Sequence, residues 1–407
     1  MVKLNSHFFK LRGGYFFAEI ERRIALFQGQ SSSRGSLFNL GIGDLVEPLP
    51  PSLLTALVGA CEEMDRRESF RGYGPAEGYL FLREKIAAHE YANCSVSPDE
   101  IFISDGAQSD MAHFQELFDG TNRIAVLDPT YPAYVDANVM AGRTGTWGKE
   151  GKYYEGITYL ACTEENQFQP TPPSCPLDLI YLCCPNNPTG VSFERAKLEA
   201  WVEYAKRHGA LLLIDGAYSS FVTGDGMPRT IYEIPGAKEV AVEFRTFSKS
   251  AGFTGLRCSY TVVPKEIFLE GRSLRELWKR RQETKFNGVA YPIQRAAEAL
   301  FSPAGKQETG ARIASYLQGT RCIRERLLSS GLSAFGGFDA PYVWCKAPEG
   351  MGSWDFFDFL LQKHQIISVP GSGFGKGGEG FIRFSGFAGP ATIEGAMSKI
   401  NATACYR

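Results

Sequence analysis

The chain has 407 residues, of which 44% are hydrophobic and 22% are charged, so it is long enough for a globular enzyme with two lobes. Its 43 basic and 45 acidic residues give a net charge of −2, which argues against a nucleic-acid binder held by bulk electrostatics. The ten cysteines show no CxxC spacing, the first residues lack an apolar signal core, and no apolar run has the length of a membrane span. We therefore expect a cytoplasmic protein with free thiols, and the five scattered histidines give no reason to expect a metal site.

The first predicted element is an amphipathic helix at 16–28, and from residue 100 onward short apolar strands alternate with helices. The predicted strands are 101–104, 124–127, 179–184, 211–214 and 240–244, and the predicted helices are 108–118, 132–141, 193–208 and 267–283. Continuous apolar strands separated by helices predict an α/β fold with a mainly parallel sheet that is covered by helices on both faces.

The pattern changes after residue 287, where a helix at 291–301 and another that ends near 328 precede apolar strands at 340–345 and 381–385. This change predicts a smaller α+β domain in the C-terminal part of the chain. We therefore expect an N-terminal arm at 1–45 that joins the small domain, a large domain at 46–290 and a small domain at 291–407.

Polar motifs follow five of the predicted strands at their carboxyl ends. They are the segments 104–109, 128–131, 185–190, 215–218 and 246–249. Ligands of open α/β sheets bind at this edge, and five separate strands that deliver polar groups to one edge are hard to explain by structure alone. The sequence therefore predicts a ligand site there.

The most specific motif is the segment 246–257, which reads TFSKSAGFTGLR. Lys249 lies among hydroxyl groups and glycines, as expected for a lysine that forms a Schiff base with an aldehyde cofactor. The hydroxyls of Thr246 and Ser248 and the guanidinium of Arg257 can bind a phosphate. The segment resembles the lysine segment of fold-type I aminotransferases that depend on pyridoxal 5'-phosphate (PLP), rather than a surface lysine in a Gly/Ser turn.

The other motifs suit the same cofactor. Residues 104–108 connect a strand to a helix, where free N–H groups and the helix dipole would face a phosphate, although taken alone the motif suits an ordinary capped helix start equally well. Tyr131 could stack on a pyridine ring, although a core tyrosine is equally common. The amide of Asn187 and the hydroxyl of Tyr218 could share the phenolic oxygen of the cofactor. Asp215, at the end of an apolar strand, could pair with the pyridine nitrogen and make the ring an electron sink.

Two residues are expected to act on the substrate. Once substrate displaces it, the amine of Lys249 would carry a proton between the substrate α-carbon and the cofactor. Arg383 follows a glycine-rich loop on an apolar strand, where a bidentate clamp on an α-carboxylate is the natural use and a structural ion pair is the alternative. The loop itself, at 371–377, has one residue too few to be a nucleotide P-loop.

Longer strings resemble the LL-diaminopimelate aminotransferase family from about residue 15 to 385. They begin at Gly14, Leu40, Asp128, Phe286 and Pro370 and read GYFFAEI, LGIGDLVEPLP, DPTYPAYVD, FNG and PGSGFG. The resemblance implies a PLP-dependent homodimer that interconverts LL-2,6-diaminopimelate and 2-oxoglutarate with tetrahydrodipicolinate and glutamate, in the synthesis of lysine and of peptidoglycan precursors.

By position, the resemblance implies a role for each matching residue. The implied phosphate ligands are Ala107, Gln108, Thr246, Ser248 and Arg257, joined by Tyr73 from the neighbouring subunit. The residues implied to contact the cofactor ring are Tyr131, Asn187, Asp215 and Tyr218. The residues implied in substrate binding are Tyr15, Gly43, Tyr73, Gln108, Tyr131, Asn187, Asn287 and Arg383, with Tyr15 and Asn287 near the subunit boundary.

Two positions depart from the family pattern. Gln108 stands where plant-like members carry lysine. Ala76 stands where they carry a glutamate that would help to recognise the distal ammonium of the substrate, and Glu77 could replace that glutamate after a local backbone shift. These departures bear on strictness for the LL isomer and not on the reaction class.

Three alternatives share parts of this pattern. The nearest is another class I aminotransferase that acts on aspartate, aromatic or a broader range of amino acids. A PLP-dependent lyase would share the cofactor residues but would not transfer nitrogen to 2-oxoglutarate. A PLP-sensing transcription regulator would need a basic helix-turn-helix domain, and the residues before Gly41 lack that pattern.

Overall fold

The computed structural model describes residues 1–12, 16–30, 36–41, 43–148, 153–224 and 226–401. Its helices are α1 Phe16–Gln30, α2 Pro51–Glu63, α3 Leu80–Glu90, α4 Ala107–Phe114, α5 Pro132–Met140, α6 Arg195–His208, α7 Phe247–Ser250, α8 Leu274–Lys285, α9 Tyr291–Ala299, α10 Pro303–Ser329, α11 Ser353–Phe359 and α12 Pro390–Asn401. Its strands are β1 Phe38–Asn39, β2 Ile101–Ser104, β3 Ile124–Asp128, β4 Ile157–Ala161, β5 Leu179–Cys183, β6 Leu211–Asp215, β7 Ala241–Thr246, β8 Ser259–Val262, β9 Phe268–Leu269, β10 Arg272–Ser273, β11 Ala334–Gly336, β12 Tyr342–Lys346, β13 Ile366–Ile367, β14 Val369–Pro370 and β15 Phe381–Ser385. Within the described ranges, no helix combines the length and the apolar character that crossing a membrane requires.

A seven-stranded sheet with the order β2-β8-β7-β6-β5-β3-β4 forms the centre of the fold. Strand β8 runs antiparallel to both of its neighbours, and the pairs among the other strands are parallel. The predicted α/β fold with a mainly parallel sheet is therefore confirmed. The sequence reading missed β4 and β8 because polar side chains interrupt their apolar residues, so that neither shows the continuous apolar run of the other strands.

Helices cover both faces of this sheet, as the continuous apolar strands predict. On one face Phe114 of α4 and Trp278 of α8 belong to a buried cluster with Phe244 of β7. On the other face Trp201 of α6 packs in a second buried cluster with Ile214 of β6. Because side chains alternate along a strand, each strand contributes to both layers, and polar residues are left mainly for the strand ends.

Helix α8 begins at Leu274, so the prediction of a helix over 267–283 was wrong in its first turns. The residues before α8 form the short antiparallel hairpin of β9 and β10 instead. Glu270 and Gly271 make its turn at positive φ values of 52° and 74°, which a helix does not tolerate.

The C-terminal part of the chain contains a four-stranded antiparallel sheet with the order β11-β12-β15-β14. Strand β1 pairs in parallel with β13, so that Phe38 lies opposite Ile366 and an N-terminal segment joins the C-terminal part. This pairing agrees with an N-terminal arm that belongs to the small domain. The domain limits at residues 45 and 290 stay a prediction.

Candidate active site

Residues that follow the carboxyl ends of β2, β3, β5, β6 and β7 line one cavity of about 310 Å³. The predicted site residues in its wall are Gly43, Ala107, Gln108, Tyr131, Asn187, Asp215, Tyr218, Thr246, Ser248, Lys249, Arg257 and Arg383. A neighbouring cavity of about 490 Å³ has none of the predicted site residues among its described lining residues. Twelve of the fifteen predicted site residues therefore lie together, although the role of each is still a prediction.

Three predicted site residues lie elsewhere. Tyr73 and Asn287 line a separate surface opening between the segments 72–74 and 286–291. The side chain of Tyr73 is 93% exposed, so within one chain it has almost nothing to pack against. Tyr15 lies outside the described residues.

Lys249 lies in α7, the single turn that follows β7, and is partly buried. Its Nζ atom donates a hydrogen bond to the carbonyl oxygen of Gly43. Burial lowers the pKa of this amine from 10.5 to about 8, although the charge of Asp44 opposes the shift. An amine with this pKa is partly unprotonated near neutral pH, as attack on an aldehyde carbon requires.

We call the five residues around the starts of α4 and α7 the anion cup: Ala107, Gln108, Thr246, Ser248 and Arg257. The first N–H groups of α4 have no acceptor within the helix and point toward its N-terminal end. The guanidinium of Arg257 lies so close to this end that a Cβ atom on Gly106 would be 2.2 Å from Nη2. Helix N–H groups, two hydroxyls and a guanidinium thus meet at one place, which is the donor set that binds a phosphate.

Asp215 ends β6, and only 8% of the residue is exposed. One carboxylate oxygen accepts a hydrogen bond from the hydroxyl of Tyr134, and the other accepts a 2.9 Å bond from the N–H of Ala217. Burial raises the pKa of this carboxyl group, while the two hydrogen bonds act in the opposite direction. Tyr134 was not predicted from the sequence, although its position one turn after Tyr131 at the start of α5 could have indicated it.

Arg383 is a buried cation on β15, with 2% of the residue exposed. Its Nη1 donates to Oδ1 of Asn187 at 2.9 Å and its Nη2 donates to the carbonyl oxygen of Gly41 at 3.1 Å, while Nε has no partner in the described part of the chain. No carboxylate there pairs with it, so the predicted alternative of a structural ion pair has no support. A buried guanidinium with an unused N–H needs an anion, and an α-carboxylate is suitable.

Two aromatic residues that the sequence reading missed surround this arginine. The rings of Tyr342 and Phe374 lie 4.3 Å and 5.0 Å from the Arg383 guanidinium carbon, and both rings can stabilise its charge. The hydroxyl oxygens of Tyr342 and Tyr218 are 2.9 Å apart. Tyr342 therefore connects the expected carboxylate clamp to a tyrosine that is expected to contact the cofactor.

Gln108, which departs from the family pattern, and Glu77, the neighbour of the departing Ala76, have partners within the chain. The hydroxyl of Tyr131 donates a 2.9 Å hydrogen bond to the side-chain oxygen of Gln108. The carboxylate of Glu77 lies 3.3 Å from Nζ of Lys279. This ion pair would compete with recognition of a distal ammonium by Glu77.

Comparison with known proteins identifies the class. The family model Aminotransferase class I and II matches residues 36–400, so the chain belongs to that family of PLP-dependent enzymes. Among solved structures, the L,L-diaminopimelate aminotransferase from Chlamydomonas reinhardtii is 40% identical, with a TM-score of 0.93 and 98% of each chain covered. This match confirms the resemblance predicted from the sequence.

Two further solved structures share the fold at lower identity. Substrate-bound BacF from Bacillus subtilis is 24% identical, with a TM-score of 0.81, and the match covers 99% of this chain and 98% of that one. The aspartate aminotransferase from Thermotoga maritima is 22% identical, with a TM-score of 0.80 and coverage of 97% and 98%. At these identities the matches bear on the fold alone.

Proposed function

We propose that the protein is a cytoplasmic, homodimeric LL-diaminopimelate aminotransferase. In this reaction an amino group passes from LL-2,6-diaminopimelate to 2-oxoglutarate, and the products are tetrahydrodipicolinate, water and glutamate. The observation that carries the proposal is the 40% identity to the Chlamydomonas reinhardtii enzyme over 98% of both chains, together with one cavity that holds twelve of the fifteen predicted site residues.

The donor set of the cavity fits PLP. The anion cup would hold the phosphate, Tyr131 would stack on the ring, and Asp215 would pair with the ring nitrogen. The amide oxygen of Asn187 already faces Arg383, so its NH2 group is free to donate to the phenolic oxygen, beside the hydroxyl of Tyr218. When bound, PLP supplies an electron sink that stabilises negative charge at the α-carbon of an amino acid.

Lys249 is the residue that we expect to hold the cofactor and then to move the proton. Its Nζ lies within reach of Gly43, a position expected to contact substrate. The lowered pKa of about 8 lets the amine accept a proton from a carbon acid and return it at neutral pH. Substitution of Lys249 by alanine should therefore leave substrate binding and abolish turnover.

The substrate carboxylate would bind to Arg383, which has an unused N–H and two flanking rings to hold it in place. Gly43, Tyr131, Gln108 and, from outside the described residues, Tyr15 are proposed to contact the rest of the substrate. The hydrogen bond between Tyr131 and Gln108 presents a neutral amide where plant-like members carry a lysine. This neutral pair, together with Ala76 in place of a glutamate, favours relaxed recognition of the distal ammonium of the substrate.

The positions of Tyr73 and Asn287 support the proposed homodimer. Both are expected at the site, yet both lie on the surface, outside the cavity that contains Lys249. A second copy of the chain would bury the exposed ring of Tyr73 and would bring it to the phosphate of the neighbouring site.

Absorbance measurements on the yellow, PLP-loaded enzyme test the substrate directly. LL-diaminopimelate, meso-diaminopimelate, glutamate, aspartate and phenylalanine are added separately, without an acceptor, and loss of the yellow absorbance is followed. LL-diaminopimelate and glutamate should bleach it, with Lys249→Ala as the inactive control. Bleaching by aspartate or phenylalanine but not by diaminopimelate would replace the substrate with that of a broader class I aminotransferase.

Mixing two inactive variants tests the shared site. In a heterodimer of Lys249→Ala and Tyr73→Ala chains, one site would carry both defects and the other would carry neither. Random mixing should then restore roughly a quarter of the wild-type activity. Absence of recovery, with heterodimers demonstrated by differently tagged chains, would mean that Tyr73 does not serve its neighbour.

A further inference from the structure

A buried polar cluster beside the anion cup has no part in the chemistry described so far. It consists of Ser104, Asp110, Ser259 and Thr261, none of which is more than 2% exposed. Ser104 ends β2, Asp110 lies in the first turn of α4, and the other two belong to β8. The cluster therefore joins three elements that meet at the cup.

One oxygen of Asp110 is the centre of this cluster. Its Oδ2 accepts hydrogen bonds from Ser104 Oγ and Thr261 Oγ1, both at 2.5 Å. The hydroxyls of Ser104 and Ser259 are 2.6 Å apart. Because the single proton of Ser104 is directed to Asp110, Ser259 must be the donor to Ser104. Hydroxyl groups from both strands thus converge on one carboxyl group of the helix.

The cluster is also connected to the cup through the sheet. Ser259 lies opposite Ser104 on one side and opposite Thr246 on the other. Arg257 precedes Ser259 by two residues. The guanidinium of Arg257 lies so close to the backbone of Gly106 that a Cβ atom on Gly106 would have no room. A small shift of α4 relative to β8 would therefore change the distance between the helix N–H groups and Arg257.

We propose that Asp110 is a positioning residue for the phosphate of the cofactor, and that it holds α4 against β2 and β8 as a neutral carboxylic acid when the phosphate is bound. The inference rests on the proposed function for the identity of the anion. Since Oδ2 already accepts two hydrogen bonds, the proton belongs on Oδ1. A neutral Asp110 keeps a second negative charge away from a dianion that binds about one helical turn away.

The electrostatic surroundings of Asp110 agree with this state. Burial raises the pKa of the carboxyl group to about 7, against the hydrogen bonds from its two hydroxyl partners. Asp105 raises this pKa further and Arg281 of α8 lowers it, while Asp110 itself raises the pKa of the nearby Cys258 thiol. A bound phosphate would act in the same direction as Asp105 and would retain the proton at neutral pH.

The test compares the affinities of the apoenzyme for PLP and for pyridoxal, which lacks the phosphate, by absorbance titration. Asp110→Ala should reduce the ratio of the two affinities roughly tenfold and leave pyridoxal binding unchanged. Asp110→Asn should keep the ratio at pH about 6, because its amide oxygen accepts both hydroxyl bonds. The PLP affinity of the wild type, divided by that of Asp110→Asn, should fall roughly tenfold between pH about 6 and pH about 8.5. The reason is that the carboxyl group of the wild type ionises over this range and the amide of the variant does not.

An equal loss for PLP and pyridoxal, or no loss, in Asp110→Ala would overturn the positioning role. The same pH dependence in wild type and Asp110→Asn would overturn the neutral state. If Asp110→Ala does not fold, the double variant Ser104→Ala/Thr261→Val removes the same hydrogen bonds and provides the same comparison. Inorganic phosphate separates the two proposals: a wild type that binds phosphate but not PLP would refute the proposed function, and the Asp110 comparison would then be made with phosphate.

Discussion

The lowered pKa of Lys249 makes a quantitative prediction about the apoenzyme. With a pKa that falls from 10.5 to about 8, about one amine in ten is unprotonated at pH 7, against about one in three thousand for an ordinary lysine. Only the unprotonated amine attacks an aldehyde. Lys249 should therefore present roughly three hundred times more reactive amine at pH 7 than a lysine in water.

The assay is the rate of reaction of the apoenzyme with pyridoxal as a function of pH, with Lys249→Ala as the control for all other lysines. The rate should rise tenfold for each pH unit and level off above about pH 8. Asp44→Asn should move this midpoint to lower pH, because the charge of Asp44 raises the pKa of the amine. A midpoint near that of an ordinary lysine, or a shift to higher pH in Asp44→Asn, would refute the reasoning.

Three further changes have defined outcomes. Arg383→Ala removes a buried hydrogen-bonded cation and should lower kcat/KM for amino-acid substrates, with a loss of transition-state stabilisation of about 2–5 kcal/mol and with PLP affinity from absorbance titration nearly unchanged. Asp215→Asn removes the charge beside the ring nitrogen and should lower kcat about tenfold to a hundredfold in steady-state assays, while a wild-type rate would exclude that pairing. Gly190→Ala places a Cβ atom 2.1 Å from the carbonyl oxygen of Tyr342 at a φ of 68° and should cost about 2–4 kcal/mol in urea unfolding. The matched control Gly209→Ala, at a φ of 67° with nothing within 4 Å, should cost only about 1 kcal/mol, and equal losses would show that the close contact is unimportant.

The sequence predicted the site most successfully for residues that follow parallel strands. Lys249, Asp215 and Asn187 follow separate parallel strands, and the carboxyl ends of parallel strands meet at one edge. Knowledge of the strands was therefore sufficient to bring these residues together without a three-dimensional structure. The predicted start of α8 was wrong for a local reason. Apolar periodicity does not reveal a two-residue turn at positive φ, such as the one between β9 and β10.

The contacts that were missed join residues distant in the chain. Tyr342 of β12 meets Tyr218, which follows β6, although 124 residues separate the two tyrosines in sequence. The apolar periodicity of the two segments does not indicate that these tyrosines meet. The pairing of Tyr134 with Asp215 likewise depends on the placement of α5 over the sheet. For Tyr73 the missing information is what covers its exposed ring, for which we propose a second copy of the chain.

The position of the cofactor can be measured directly by reduction of the PLP-loaded enzyme with borohydride, followed by peptide mass spectrometry. Lys249 should carry the phosphopyridoxyl group, with one label per chain and none at this position in Lys249→Ala. A label that is fixed to another lysine, or a yellow enzyme in which Lys249 stays unmodified, would contradict the assignment of this cavity as the active site.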